Sequence, residues 1–142
     1  MQHRHPVRLA TAAATLALCA PLGAAADEPS RGERELAEIL EGRVAGEPVD
    51  CLNDAESDRM QVVDGTAFVF RHGRTIYVNR PRGAEILDDN DLPVFHQFSS
   101  RLCRLDQVEL RDRISAMPGP VIVLEAFIPY TKTAGDDAGE GG

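Results

Sequence analysis

The sequence predicts a mainly β protein with one N-terminal helix, in which an antiparallel meander is curled into a small barrel or sandwich. Apolar residues with helical spacing are found in one segment, residues 31–41. From residue 47 onward, apolar and polar residues alternate with a period of two, and Gly, Pro and acidic residues separate the alternating segments. About six or seven such segments follow one another, which is typical of an antiparallel sheet around one core.

The predicted helix covers residues 31–41. Ser30 and Glu33 have the spacing of a capping box, in which the hydroxyl accepts from the Glu33 amide and the carboxylate reaches back. Three apolar residues at i, i+3 and i+4 share one face: Leu36, Ile39 and Leu40. Gly42 is a typical residue at which such a helix ends.

The meander consists of three predicted strands, over residues 60–63, 66–71 and 74–80. Asp64-Gly65 connects the first two, and an Asp-Gly pair between apolar segments is typical of a type I′ turn. His72-Gly73 forms the second tight turn, where we expect the His72 side chain to be exposed.

The other strands are shorter or less regular. Pro81 ends the third strand of the meander because it has no amide donor, and a polar loop follows as far as Asp91. Further strands are predicted at Val49–Cys51, Leu92–Phe98 and Gln107–Asp112. Pro93 places the start of the second of these at a sheet edge. Residues 99–105 fit either a helical turn or a strand. After a turn at residues 117–120, the apolar run Val121–Ile128 indicates one central strand buried on both faces.

Residues 1–26 have the three parts of a secretory signal peptide. Arg4 and Arg8 precede an apolar segment over residues 9–22, and Ala24-Ala25-Ala26 provides the small residues of a cleavage site. The segment is too short for a membrane span, which needs roughly 20 apolar residues. We therefore expect a periplasmic or secreted protein with no membrane span after cleavage. Cys19 is an alternative lipidation site, although bulky Leu18 precedes it.

Cleavage would leave a single globular domain over residues 27–133, followed by a disordered acidic tail over residues 134–142. It would also remove Cys19 and leave two of the three cysteines, Cys51 and Cys103. In an oxidising compartment these two are predicted to form a disulfide, which stabilises a domain by about 4 kcal/mol in the chain-entropy model. The alternative is a pair of buried free thiols.

The charge of the chain excludes some classes of partner. Without Arg4 and Arg8, 13 of the 15 basic residues remain against 23 acidic ones, which gives a net charge of −10. Nucleic acid and anionic membranes would repel such a protein. The remaining candidate is another protein of the cell envelope.

The sequence predicts no catalytic, cofactor-binding or metal-binding residue. Asp88–Asp91 begins like a calcium loop but continues with Leu92 and Pro93 where an EF-hand has a ligand and glycine, so we interpret it as a solvated turn. The acidic segment Asn53–Asp58 is likewise predicted to be a loop. His72 and His96 have no zinc-ligand spacing, and no Gly-x-Ser-x-Gly motif is present.

Three features still invite a functional interpretation. Alternation with Val94 and Phe98 predicts a partly buried, hydrogen-bonded His96. Glu125 interrupts an apolar run, which indicates either a buried carboxyl with a raised pKa or, as we favour, an outward-facing side chain. Four arginines lie on the meander and the loop after it: Arg71, Arg74, Arg80 and Arg82. They would bind an anionic partner or pair with the protein's own carboxylates.

Several stretches together resemble a known family: Asp64-Gly65-Thr66-Ala67, Tyr77-Val78-Asn79-Arg80-Pro81, Leu102-Cys103 and Phe127-Ile128-Pro129-Tyr130. Across about residues 41–130 the chain is similar to a family of short, uncharacterised exported proteins of proteobacteria. The resemblance implies a Gram-negative cell envelope as the location, and it implies no activity, cofactor or site residue.

These observations favour a small non-catalytic binding or interaction module whose contact surface lies within residues 71–91. One alternative is an inhibitor of a cationic enzyme such as a lysozyme, because the domain is small, acidic and disulfide-bonded. Another is a small hydrolase that uses Glu125 or His96.

Overall fold

The structure, a computed structural model, describes residues 27–133. The predicted signal peptide with Cys19 and the predicted acidic tail lie outside the described residues. Neither α-helix of residues 27–133 has the length and hydrophobicity of a membrane-spanning segment.

Residues 27–133 form ten β-strands, two α-helices and one short 3₁₀ turn. In chain order the elements are α1 (Arg31–Ile39), β1 (Arg43–Ala45), β2 (Cys51–Leu52), α2 (Asp54–Ser57), β3 (Met60–Val63), β4 (Ala67–His72), β5 (Thr75–Asn79), the 3₁₀ turn (Ala84–Ile86), β6 (Asp91–His96), β7 (Leu102–Cys103), β8 (Gln107–Asp112), β9 (Pro118–Val123) and β10 (Phe127–Lys132).

All strand pairs are antiparallel, and they form three sheets. A five-stranded sheet has the order β1-β10-β5-β4-β3, a three-stranded sheet has the order β6-β8-β9, and β2 pairs with β7. The predicted mainly β class and the β3–β5 meander are confirmed. Within the described range no sheet closes into a barrel, because β1 and β3 remain the two edges of the five-stranded sheet.

The five-stranded sheet is covered on both faces. One face of β4 and β5 packs against Leu36 of α1, and the other packs against the three-stranded sheet. The larger apolar cluster lies on the second side: Leu52, Phe68, Phe70, Leu87, Leu102, Val108, Leu110, Ile122, Leu124 and Phe127. Phe95 of β6 joins it through an edge-to-face contact with Phe68, with ring centroids 5.6 Å apart. Burial of both faces explains why four successive residues of β4, 67–70, are inaccessible to solvent.

Helix α1 is attached to the first hairpin at its N-terminus. A Cβ on Gly32 would come within 2.0 Å of the Asp64 carbonyl oxygen, so only glycine permits this approach. The Ser30 hydroxyl accepts from the Glu33 amide at 3.1 Å, as predicted. The second half of the predicted capping box is wrong, because the Glu33 carboxylate binds Arg80 of the chain segment after β5 instead.

The prediction of one central strand over Val121–Ile128 is wrong. The run is divided between β9, which ends at Val123, and β10, which begins at Phe127, and these strands belong to different sheets. Buried Asn79 holds the crossing segment: its Nδ2 donates to the Glu125 carbonyl at 2.5 Å and its Oδ1 accepts from the Glu125 amide at 3.3 Å. One continuous apolar run therefore contains parts of two strands that belong to different sheets. Hydropathy alone cannot distinguish this arrangement from one strand buried on both faces.

Two predicted connections also differ in detail. Val63 pairs with Ala67, which leaves a three-residue loop between β3 and β4 in which Gly65 has a positive φ of 58° and Asp64 does not. The turn is therefore not type I′. The predicted loop at Asn53–Asp58 contains helix α2, because Asn53 and Glu56 form a reciprocal capping box.

Candidate functional site

The four arginines of the predicted contact surface separate into two groups at opposite ends of β5. Arg80 forms a two-pronged ion pair with Glu33, at 2.5 and 2.8 Å, and Arg82 contacts the Glu125 carboxylate. These two arginines are therefore engaged with the protein's own acids. Arg71 and Arg74 lie near the β4–β5 turn, where Arg71 donates to the amide oxygen of Gln61 at 3.0 Å.

A pocket of about 340 Å³ lies beside this turn and is lined by Arg43, Gly73, Arg74 and Lys132. We call it the cationic pocket. Strand register brings its residues together: Arg43 of β1 is directly opposite Lys132 of β10, and Thr131 is opposite Thr75 of β5. One further step of the β10–β5 pairing puts Lys132 beside Arg74. Three positively charged residues thus form one row across neighbouring strands.

Among residues 27–133, those that line the cationic pocket include no carboxylate. The ion pairs within residues 27–133 involve neither Arg43 nor Lys132. The Arg43 guanidinium is oriented by a hydrogen bond from its Nη1 to the Arg74 carbonyl oxygen, at 2.6 Å. Since like charges directly opposite each other destabilise an antiparallel pair, this row costs stability. Its positive charge is the reverse of the chain's net charge of −8.

A second, larger cleft of about 560 Å³ lies on the other side of the turn, and Gly73 lines both. Its lining includes charged residues of both signs, Asp54, Asp58, Arg59 and Arg71, and also His72. His72 is exposed, as predicted, and its Nδ1 is 3.0 Å from the Ala55 carbonyl oxygen. Because a carbonyl only accepts, Nδ1 carries the proton in this contact.

The prediction of a partly buried His96 is wrong, although its hydrogen bonding is confirmed. The side chain is 51% exposed, and its Nε2 is 3.3 Å from Glu109 Oε2. In β6 the residue that packs against the core is Phe95, so its neighbour His96 is directed to the outer face. Hydrogen bonds from Arg111 and His96 hold the pKa of the Glu109 carboxyl below its usual value, with Arg111 contributing more.

Glu125 lies in the segment that crosses between the two sheets. Its side chain is about one-third exposed, contacts Arg82, and has one oxygen 4.0 Å from Nε of Arg104. The favoured outward-facing interpretation is therefore closer to the structure than a buried, isolated carboxyl. The Glu125 carboxylate faces Arg82 and Arg104, whose positive charges offset its negative charge.

The Asp88–Asp91 segment forms a local turn. Asp88 accepts from both the backbone amide and the side-chain amide of Asn90, at 2.8 and 3.1 Å. These bonds hold the pKa of the Asp88 carboxyl below its usual value. Among residues 27–133, no group of three or more His, Cys, Asp or Glu side chains is arranged to hold a metal ion.

Cys51 and Cys103 are directly opposite each other in the β2–β7 pair, and their sulfurs are 2.11 Å apart. The predicted disulfide is thus present in the structure. Disulfides persist in oxidising compartments, and this one favours such a location.

Sequence reasoning missed Arg43 and Lys132. Arg43 stands at the end of the predicted helix segment, and Lys132, the only lysine of the chain, lies next to the predicted tail. Only the pairing of β1 with β10 connects them, and that pairing joins the first strand of residues 27–133 to the last. The one available signal was the lysine's uniqueness in an arginine-rich chain.

Comparisons of the chain with protein-family models, with curated proteins and with solved structures give no match.

Proposed function

We propose that the protein is a non-catalytic binding module of the cell envelope that holds an oxyanion group of a partner protein, a carboxylate or a phosphate, in the cationic pocket. The observation that carries this proposal is the row formed by Arg43, Lys132 and Arg74. An oxyanion placed beside Arg43 and Lys132 would neutralise the repulsion between these directly opposed cations. Arginine and lysine donors also match the oxygens of carboxylates and phosphates.

The location of this module is part of the proposal. The signal-like residues 1–26 and the Cys51–Cys103 disulfide support export to the periplasm. The resemblance carried by Tyr77-Val78-Asn79-Arg80-Pro81 supports membership of the exported proteobacterial family. A sandwich is the description of the fold that we favour, since the larger apolar cluster lies between the five-stranded and three-stranded sheets.

The proposal is tested by titrating the ¹⁵N-labelled protein with sodium phosphate and, separately, with sodium succinate, against sodium chloride of equal ionic strength. We expect saturable shifts of the Arg43, Gly73, Arg74 and Lys132 amides, with a dissociation constant on the order of 1 mM for so small a ligand. Phosphate and succinate together reveal whether the pocket prefers a phosphoryl or a carboxyl group.

Two variants with the same change in net charge provide the control. Lys132→Gln removes a pocket cation and should weaken binding at least about 3-fold, whereas Arg101→Gln changes an exposed arginine outside the pocket and should leave it unchanged. Equal shifts in chloride and phosphate, or equal weakening by both substitutions, would refute an oxyanion site in this pocket.

A further inference from the structure

A groove of about 440 Å³ lies between β3, an edge of the five-stranded sheet, and β6, an edge of the three-stranded sheet. We call it the β3–β6 groove. The groove is lined by Met60, Gln61 and Val62 of β3 and by Leu92 and Pro93 of β6. Glu35, Asp89 and Arg113 from other segments complete the lining.

The main chain of β3 presents hydrogen-bonding groups to this groove. The Arg71 amide donates to the Arg59 carbonyl at 2.9 Å, which makes Arg59–Arg71 a hydrogen-bonded pair of the β3–β4 ladder. Such pairs alternate with non-hydrogen-bonded ones, so Met60 and Val62 direct their amides and carbonyls away from β4. Within the described range, no strand pairs with that edge.

The other edges of the five-stranded and three-stranded sheets are protected against pairing, and β3 is not. Pro93 interrupts the donors of β6, and Pro118 and Pro120 interrupt those of β9. The opposite edge of the five-stranded sheet, β1, has only three residues. Native proteins usually protect their exposed edges in these ways, which makes an unprotected β3 a candidate for pairing with another chain.

The side chains of the groove define what kind of chain would fit. Met60 and Val62 are half-buried against the core, and Leu92 is 46% exposed, so the floor of the groove is apolar. Glu35 and Asp89 add two carboxylates. Among the described residues that line the groove, the one basic side chain is Arg113. It donates to the carbonyls of Asn90 and Asp91 at 3.2 and 3.1 Å and is held there.

We infer that the β3–β6 groove binds an extended segment of a partner protein, which adds a strand to β3. Its apolar side chains would contact Met60, Val62 and Leu92, and a basic side chain would face Glu35 and Asp89. Main-chain pairing supplies affinity in this mode of recognition, and the alternating side-chain contacts supply selectivity. The inference is independent of the cationic pocket, which is lined by residues of β1, β10 and the β4–β5 turn.

The experiment uses the synthetic pentapeptide Thr-Val-Arg-Val-Thr, acetylated and amidated, and measures amide hydrogen exchange of the protein by NMR. We expect saturating peptide to slow exchange at Met60 and Val62 at least about 10-fold, and to leave the inward-facing Gln61 amide unchanged. A peptide with N-methylated valines cannot donate those bonds and should give no protection.

The charge of the groove is tested with Glu35→Gln, whose side-chain oxygen can still accept from Gln61, which in the native protein binds Glu35 at 2.9 Å. We expect the Glu35→Gln substitution to weaken binding of the pentapeptide at least about 3-fold. Unchanged exchange at Met60 and Val62, or equal protection by the N-methylated peptide, would overturn the inference.

Discussion

At the scale of single residues, Glu33 has the clearest electrostatic role. The hydrogen bond and charge of Arg80 lower the pKa of its carboxyl, against a smaller opposing effect of burial. The unfolded state therefore takes up a proton at higher pH than the folded state. The ion pair contributes stability above the unfolded pKa, about 4.3, and loses it as the pH falls through the lower folded value.

We expect Glu33→Gln to lower the free energy of unfolding by roughly 0.5 kcal/mol at pH 7, because both partners are about half exposed and solvent screens the pair. The difference from wild type should shrink toward zero at about pH 2, as the Glu33 carboxyl becomes protonated in the folded state as well as in the unfolded state. Urea unfolding of both proteins at pH 7 and at about pH 2 measures this difference in the free energy of unfolding. Glu38→Gln, an exposed change on the same helix, is the control; a Glu33→Gln deficit that persisted in acid would contradict this role.

At the scale of elements, the segment between β9 and β10 depends on Asn79. This side chain is fully buried and satisfies both the amide and the carbonyl of Glu125. A backbone group left buried without a partner costs about 1–3 kcal/mol. The same residue therefore helps to hold the segment in which the chain leaves the three-stranded sheet and enters the five-stranded one.

We expect Asn79→Ala to lower the free energy of unfolding by about 3 kcal/mol, since it deprives two backbone groups of partners. Asn53→Ala is a matched substitution that removes only the cap of α2, at a cost of about 1 kcal/mol. Chemical denaturation of the two variants distinguishes them. A smaller effect at Asn79 than at Asn53 would show that the crossing is held by something else.

The same elements show what the sequence can predict. The β3–β5 meander was predictable because short loops with Gly65 and Gly73 join strands that are neighbours in the chain, so the information is local. The segment around Glu125 that crosses between the two sheets was not predictable, because its partner Asn79 is 46 residues away in the sequence. The cationic pocket was predictable only in part: Arg74 belonged to a recognised cluster, whereas Arg43 and Lys132 meet through long-range pairing.

At the scale of the whole molecule, a chain of net charge −8 concentrates positive charge at one end of its larger sheet. An acidic surface of this kind repels free anions at long range. The cationic pocket therefore depends on short-range donors, whose contacts with an anion are screened by salt less than the long-range repulsion is. A site retained at a cost in stability is common where binding requires it.

The most direct test of this account is the melting temperature of wild type and Lys132→Glu, each in sodium chloride and in sodium phosphate of equal ionic strength. The substitution puts opposite charges at the Arg43–Lys132 pair. It should stabilise the protein in chloride by roughly 0.5 kcal/mol, or about 3 °C. It should also abolish the gain that phosphate gives wild type. The account is contradicted if Lys132→Glu melts no higher than wild type in chloride and phosphate raises both melting temperatures equally.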